Sequence, residues 1–398
     1  MPLEAAGAFP AGMRPVPAPV ARPLRVIVWG TYDTGKPRTR ILLEGLRAQG
    51  VEITEIHADI WSDTADKSGL GPRAMAARLA RLALAWPGLV ARYLAAPDHD
   101  AVLVPYMGQF DVLALKPFAA LRRRPVVWDM FLSLHDTVVD DRAMVGPRSA
   151  PARALHALEW LACRAAARVL MDTGAGAARV AESFGLAPGR VVACPVGAEP
   201  GAFPRAAPPK RGDGPLRILF YGQLIPLHGV GTILAAAMSP RGRAHRWRII
   251  GSGQEEARVA AALAGADVDH VAWEKWVDYE ALGQAIAESH ICLGIFGTSG
   301  KAAAVVPNKV WQALMAGRPV VTRASPAMDE VFPAGLPGLA RVPEGDPEAL
   351  LDAIDDLRDA GLPVAPATAL AAGDPREIGR RLVSVFDMLR KDRECRRT

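Results

Sequence analysis

Between Phe296 and Val320 the chain reads Gly297-Thr298-Ser299-Gly300-Lys301, then Ala302 to Val306, then Pro307-Asn308-Lys309-Val310-Trp311-Gln312-Ala313-Leu314-Met315-Ala316-Gly317-Arg318-Pro319. Pro307 suits the first turn of a helix, Asn308 can cap or line it, and Gly317 with Pro319 stops it before Val320-Val321. Such a helix points its amino end, with unpaired N–H groups and about half a positive charge, at whatever lies beyond the preceding strand. That is chemistry for holding phosphate oxygens, and Lys301 would add a mobile full charge. Spacing alone fits an ordinary strand-to-helix connection with a surface lysine equally well.

Other polar groups also follow apolar runs. Gly222-Gln223-Leu224-Ile225-Pro226-Leu227-His228-Gly229 succeeds Leu216 to Tyr221, and Trp273 with Lys275 ends a later run. Gly251-Ser252-Gly253 holds two glycines of a dinucleotide fingerprint without the third, which argues little for a nicotinamide cofactor. In the first half, Gly30-Thr31-Tyr32-Asp33-Thr34-Gly35-Lys36-Pro37-Arg38 offers a glycine-rich turn for close backbone approach to a substrate. Asp129, Ser133, His135, Asp136, Asp140, Asp141 and Arg142 cluster behind another run, and Asp172-Thr173-Gly174 behind a third. Imidazole beside carboxylate could orient a hydroxyl and tune its proton affinity, although loops also carry such residues for solvation.

The elements that must position these groups read as two repeats. Leu24 to Gly30 and Leu216 to Gly222 are short apolar runs ending in glycine, each like the first buried strand of a parallel sheet. Strands are expected at 51–56, 101–105, 125–128, 168–171 and 191–194, and again at 247–250, 268–273, 291–296, 319–322 and 339–342, alternating with helices. The fold class is therefore α/β, with two Rossmann-like domains whose post-strand loops share a cleft. The expected boundaries are an N-terminal extension over 1–23, a first domain over 24–200, a linker over 201–215, a second domain over 216–373, and a C-terminal helix and tail over 374–398. The face Ile378, Leu382, Val385, Phe386, Leu389 of that helix needs a groove, which the neighbouring domain could supply.

Composition narrows the function classes. A 50% hydrophobic and 22% charged chain belongs with core-forming proteins, and a net charge of +5 spread over 398 residues gives no footprint for nucleic acid. Cys163, Cys194, Cys292 and Cys395 are too scattered for a zinc or redox motif, and Met1 to Pro23 resembles neither signal peptide nor membrane span. A cytoplasmic protein without metal is the expectation. Arg73 to Ala96 mixes leucines with arginines and suits either a membrane surface or a core, with the core reading preferred.

The run Pro307-Asn308-Lys309 with Gln312, Ala316-Gly317 and Pro319-Val320 resembles the donor-binding segment of family-4 glycosyltransferases, whose fold is GT-B, and Gly222 to Gly229 is similar to that family's phosphate-facing loop. The resemblance implies sugar transfer from a nucleotide-sugar donor to a hydroxyl acceptor, with retention of configuration and neither metal nor cofactor. It places Gly222, Gln223, His228, Gly229, Trp273, Lys301, Val306, Asn308, Lys309 and Gln312 on the donor side, and Gly30, Tyr32, Asp33 and Arg38 on the acceptor side. His135, Asp136 and Asp129 are the candidate catalytic groups. The pattern departs from the family at Gln312 and Ala304, where acidic residues are usual, and at Gln223 and His228, where Arg and Lys are usual. A neutral amide can still bond a ribose hydroxyl. Those departures keep open a non-catalytic nucleotide-sugar-binding subunit, beside a nucleotide-sugar epimerase; a cytoplasmic membrane surface remains a possible partner.

Overall fold

The computed structural model describes residues 22–61, 71–210, 214–265 and 268–395. The expected N-terminal extension lies outside them up to residue 21, as do residues 211–213 of the expected linker.

Two six-stranded parallel sheets form the chain. The first contains β1 (Arg25–Gly30), β2 (Glu52–His57), β3 (Ala101–Val104), β4 (Val126–Phe131), β5 (Arg168–Met171) and β6 (Val191–Ala193), in the order β2-β1-β3-β4-β5-β6. The second contains β7 (Arg217–Tyr221), β8 (Arg246–Ile250), β9 (Val271–Glu274), β10 (Ile291–Leu293), β11 (Val320–Arg323) and β12 (Leu339–Val342), in the order β12-β11-β10-β7-β8-β9. The central strand β3 is wholly apolar because helices cover both sheet faces. The repeats share their opening strand but not their winding: strand order reverses between β1 and β3 in one sheet, and between β7 and β10 in the other. Ligands of such sheets collect beyond the carboxyl ends at the reversal, so the second domain's crevice lies between the loop after β7 and the loop after β10. Those are the segments beginning at Gly222 and at Gly294.

The C-terminal helix Pro375–Cys395 crosses back to the first domain and packs against the helix Pro37–Ala48. Ile378, Leu382, Val385, Phe386 and Leu389 are all buried, in one cluster with Leu24, Val26, Val28 and Leu42. At about 1.5–3 kcal/mol gross per buried side chain, this stripe ties the end of the chain firmly to its beginning.

The helix Pro72–Ala95 has two faces. It buries Leu82, Leu89 and Tyr93 in the domain and packs Ala85, Trp86 and Val90 against it, while Leu79, Leu94 and, at 80% exposure, Leu84 face outward. Its stretch Arg73–Ala95 is apolar and long enough to cross a bilayer, yet only a narrow stripe of it serves as core.

Candidate functional site

On the second domain, Tyr221 Oη donates to the Lys309 carbonyl at 3.0 Å, fixing the start of the helix Asn308–Met315 beside the end of β7. Pro307 sits at the cap position and Asn308 is the first helical residue, one place later than the sequence suggests. The Lys309 side chain turns back under β7: it is 6% exposed, its Nζ lies 4.0 Å from the Phe220 ring centre, and that nitrogen has no hydrogen-bond partner. Burial holds its pKa well below the ordinary lysine value. Gly222, at φ +135°, packs directly against it; a side chain there would meet Lys309 Nζ at 2.9 Å and the His228 ring at 3.1 Å. The His228 imidazole, bonded through Nδ1 to the Gln223 carbonyl, is held neutral by burial and then by the Lys309 charge. Gln312 is buried one turn beyond Lys309, and Trp273 Nε1 donates to the Gly251 carbonyl at 2.9 Å. Gly229 packs on the Phe296–Gly297 backbone with no room for a side chain.

Lys301 departs from its expected mobility. It is 5% exposed and donates to Thr137 Oγ1 at 2.5 Å, with burial lowering its pKa against the pull of Asp141 and Asp136. Its charge is committed to the opposite domain. Lys309 is therefore the buried cation left without a counter-charge at the crevice.

On the first domain, the polar cluster occupies one strained segment. Phe131 (φ +55°) and Ala143 (φ +47°) hold left-handed backbone at its two ends, and Asp136–Asp141 forms a π-helical turn between them. Non-glycine residues in that region and π turns both cost energy and concentrate where function requires them. Glu159 anchors the segment from behind, accepting from Ser133 Oγ at 2.6 Å, Leu134 N at 2.6 Å and His135 N at 3.1 Å. Its carboxyl pKa is raised by burial, so these donors are essential company. His135 stacks edge-on to His156 with ring centres 5.4 Å apart, and burial lowers its pKa against the nearby Asp140, which leaves a neutral imidazole able to accept a proton. Asp136 is bound to Arg179 at 2.6 Å, and the same arginine reaches Asp140 at 3.3 Å.

Two sequence expectations change with depth. Arg38 and Asp129 are 1% and 0% exposed and form a 2.7 Å ion pair; Arg38 also donates to the Cys194 and Pro195 carbonyls. This pair knits the helix Pro37–Ala48, β4 and the segment after β6 together, and as placed neither group can touch an acceptor, so the catalytic reading of Asp129 and the acceptor reading of Arg38 give way to a scaffold role. The close approach at Gly30 is made by Asp111, whose Oδ2 takes both the backbone N–H and hydroxyl of Thr31 at 2.7 and 2.9 Å. Tyr32 is likewise turned inward onto Glu55, and Asp33 accepts from Gly35 N. Asp111, Glu159 and Arg179 went unrecognised in the sequence because each lies within a helix, where a charged residue reads as solvent-facing.

The two faces meet. Ser299 Oγ donates to Asp141 at 2.9 Å, Arg142 to Gln223 at 3.2 Å, Thr173 Oγ1 to the Ala304 carbonyl at 2.5 Å, and Val306 N to Asp172 at 3.2 Å. Glu330 accepts from Gly174 N and Ala175 N at the start of the helix Gly174–Phe184. Between Ser133, Asp136, Arg179, Lys301 and Ala304 only about 20 Å³ remains open. A small-molecule site needs on the order of 300 Å³ or more, so a ligand reaching both faces here must part this seam first.

Residues 215–360 match the family described as Glycosyl transferases group 1. No curated protein sequence matches the chain. Among solved structures, sucrose-phosphate synthase from Thermosynechococcus elongatus superposes with TM-score 0.63 at 16% identity, over 92% of this chain and 99% of that one. The catalytic domain of starch synthase IV from Arabidopsis thaliana, bound to ADP and acarbose, gives 0.65 at 10% identity over 93% and 100%. Anabaena HepE in complex with UDP-glucose gives 0.59 at 13% identity over 93% and 99%. The fold is GT-B: two parallel α/β domains, both spanned by matches that cover 92–93% of the chain.

Proposed function

We propose that this chain transfers a sugar from a nucleoside-diphosphate sugar to a hydroxyl acceptor, with the donor's diphosphate held beside Lys309. The observation that carries this reading is a buried lysine nitrogen with no hydrogen-bond partner, walled by the side-chain-free backbone of Gly222, beside the amino end of the helix Asn308–Met315. An anion with several oxygens satisfies all three features at once. The family match over 215–360 and the nucleotides bound by similar folds, UDP-glucose in HepE and ADP in the starch synthase, support the same assignment. Gln312 would bond the ribose, Trp273 would flank the base, and His135 would face the acceptor. Transfer with retention and without metal is part of the proposal; charge on the leaving diphosphate would fall to Lys309 and the helix end.

The test is thermal unfolding with UDP, GDP, ADP, CMP and their sugar conjugates. A ligand at a hundredfold excess over Kd adds about 2.7 kcal/mol of stability, so one nucleotide should raise Tm selectively. A flat response to the whole panel would remove the donor assignment.

The acceptor side of the proposal includes a cytoplasmic membrane surface. Arg73 to Ala95 contains no acidic residue, and its outward Leu79, Leu84 and Leu94 with Arg73 and Arg81 suit an anionic lipid interface. Flotation with phosphatidylglycerol vesicles is expected for the wild type and reduced several-fold by Leu84→Ser; flotation that ignores lipid charge would discard the membrane.

A further inference from the structure

We infer that the first domain carries a second anion site, at the end opposite the crevice, which takes a phosphate-bearing ligand. A groove of about 730 Å³ opens there, lined by Arg123, Arg124, Arg168, Arg190 and Arg393 against the single carboxylate of Asp392. The sequence scatters these arginines, and the fold gathers them: Arg123 and Arg124 follow the helix Gln109–Leu121 and lead into β4, Arg168 opens β5, Arg190 precedes β6, and Arg393 arrives on the C-terminal helix. All stand at the amino ends of the strands, whereas the donor crevice lies at carboxyl ends.

The local carboxylates do not balance this charge. Asp392 approaches Arg168 only to 3.8 Å, Asp100 approaches Arg393 to 3.7 Å, and Arg124 pairs with the exposed Asp98. Arg190 spends Nη2 on the carbonyls of Cys163, Arg164 and Ala166, while its buried Nε bonds nothing. Arg123 is held at φ +54° with an exposed side chain. A left-handed backbone at a non-glycine residue is strained, and glycine would avoid that strain. Five guanidinium groups around one hollow repel one another, and a multivalent oxyanion offsets that repulsion. Guanidinium forks match phosphate oxygens two at a time, which selects a phosphate ester over a carboxylate or a halide. The volume lies within the roughly 300–1,000 Å³ of small-molecule sites. The ligand is either a soluble phosphate ester or the headgroup of an anionic lipid; Leu121, two residues before Arg123, is 75% exposed and offers an apolar side chain to a bilayer.

The experiment uses the full chain carrying Lys309→Met, so that diphosphate binding at the crevice does not contribute and failure of the donor assignment is read separately. Two probes are compared: inorganic pyrophosphate by calorimetry, and cosedimentation with phosphatidylcholine vesicles with and without phosphatidylglycerol. Adding Arg123→Glu is expected to weaken whichever probe binds by about tenfold or more, the scale of one charge-assisted contact. Arg123→Gly, which keeps the turn and relieves its backbone, should weaken it in the same direction while the fold is retained. Pyrophosphate binding that responds identifies a soluble ester, and vesicle binding that responds identifies a headgroup. No binding of either probe at millimolar concentrations, or binding indifferent to both Arg123 variants, overturns the site.

Discussion

Lys309→Met is expected to abolish nucleotide binding while leaving the ligand-free protein at least as stable as the wild type. Most substitutions of a buried residue destabilise, so the pairing of these two results is diagnostic. The ammonium of Lys309 has left water for a site whose only compensation is the Phe220 face 4.0 Å away, a contact worth about 2 kcal/mol when desolvated. Methionine keeps an unbranched stem and a favourable sulfur–ring contact, and it removes the charge that burial penalises. Denaturant unfolding should show a gain of about 1 kcal/mol or no change, against a loss of affinity on the order of a hundredfold for a missing charged partner. The lysine also leaves a signature in pH. Its folded pKa is depressed, so between that value and the ordinary lysine pKa the unfolded chain binds the proton more tightly and stability rises with pH. The methionine variant should lack that rise. A variant that binds nucleotide as the wild type does, or that unfolds several kcal/mol more easily, would make Lys309 a packing residue.

Much of the architecture was legible because parallel strands buried on both faces spell continuous apolar runs. The boundaries of β5 and β12 agree with the sequence reading residue for residue, and the stripe on the terminal helix found its groove. What the runs could not reveal was winding: two similar opening strands lead into sheets that reverse at different places. Side-chain depth was the harder limit. Arg38 follows a glycine-rich turn and reads as a solvent-facing cation, but its burial depends on Asp129, 91 residues away. Lys301 lost its expected mobility for the same reason, since Thr137 and Asp141 reach it from the other domain, whereas the Lys309 nitrogen has no hydrogen-bond partner. The cluster from Ser133 to Arg142 was visible as polarity; the π turn and its strained ends, which give it a fixed shape, have no sequence signal. The departure at Ala304 lies on the seam, where its carbonyl receives Thr173 from the first domain.

Asp172→Asn is expected to flatten the stability profile between about pH 4 and pH 7 and to leave the closed seam stronger at pH 8. Asp172 accepts from Val306 N across the domains, its Oδ1 has no hydrogen-bond partner, and it is 2% exposed. Burial raises its pKa from 3.8 to about 7, and the Arg38 charge with the nearby N–H groups of Val306, Asp172 and Thr173 only partly oppose it. The folded protein therefore keeps this proton where the unfolded chain has released it. Stability contributed by the protonated group is complete below about pH 4 and is lost as pH rises toward 7, above which the loss is constant. A displacement of that size corresponds to a few kcal/mol, about 1.4 for each pKa unit. Asparagine can keep the acceptor for Val306 N and has no proton to lose. Urea unfolding at pH 5 and pH 8 should show the wild type losing a few kcal/mol more than the variant between the two conditions. Parallel losses would place the seam's pH sensitivity elsewhere. If the difference appears, access to the crevice should follow the same titration: the contacts Asp172–Val306, Thr173–Ala304 and Glu330–Gly174 must all break before a ligand can span both faces, and ionising Asp172, although it strengthens the Val306 hydrogen bond itself, buries a charge at the seam whose desolvation cost opening to water relieves. Nucleotide association would then quicken from pH 6 to pH 8 in the wild type and not in Asp172→Asn.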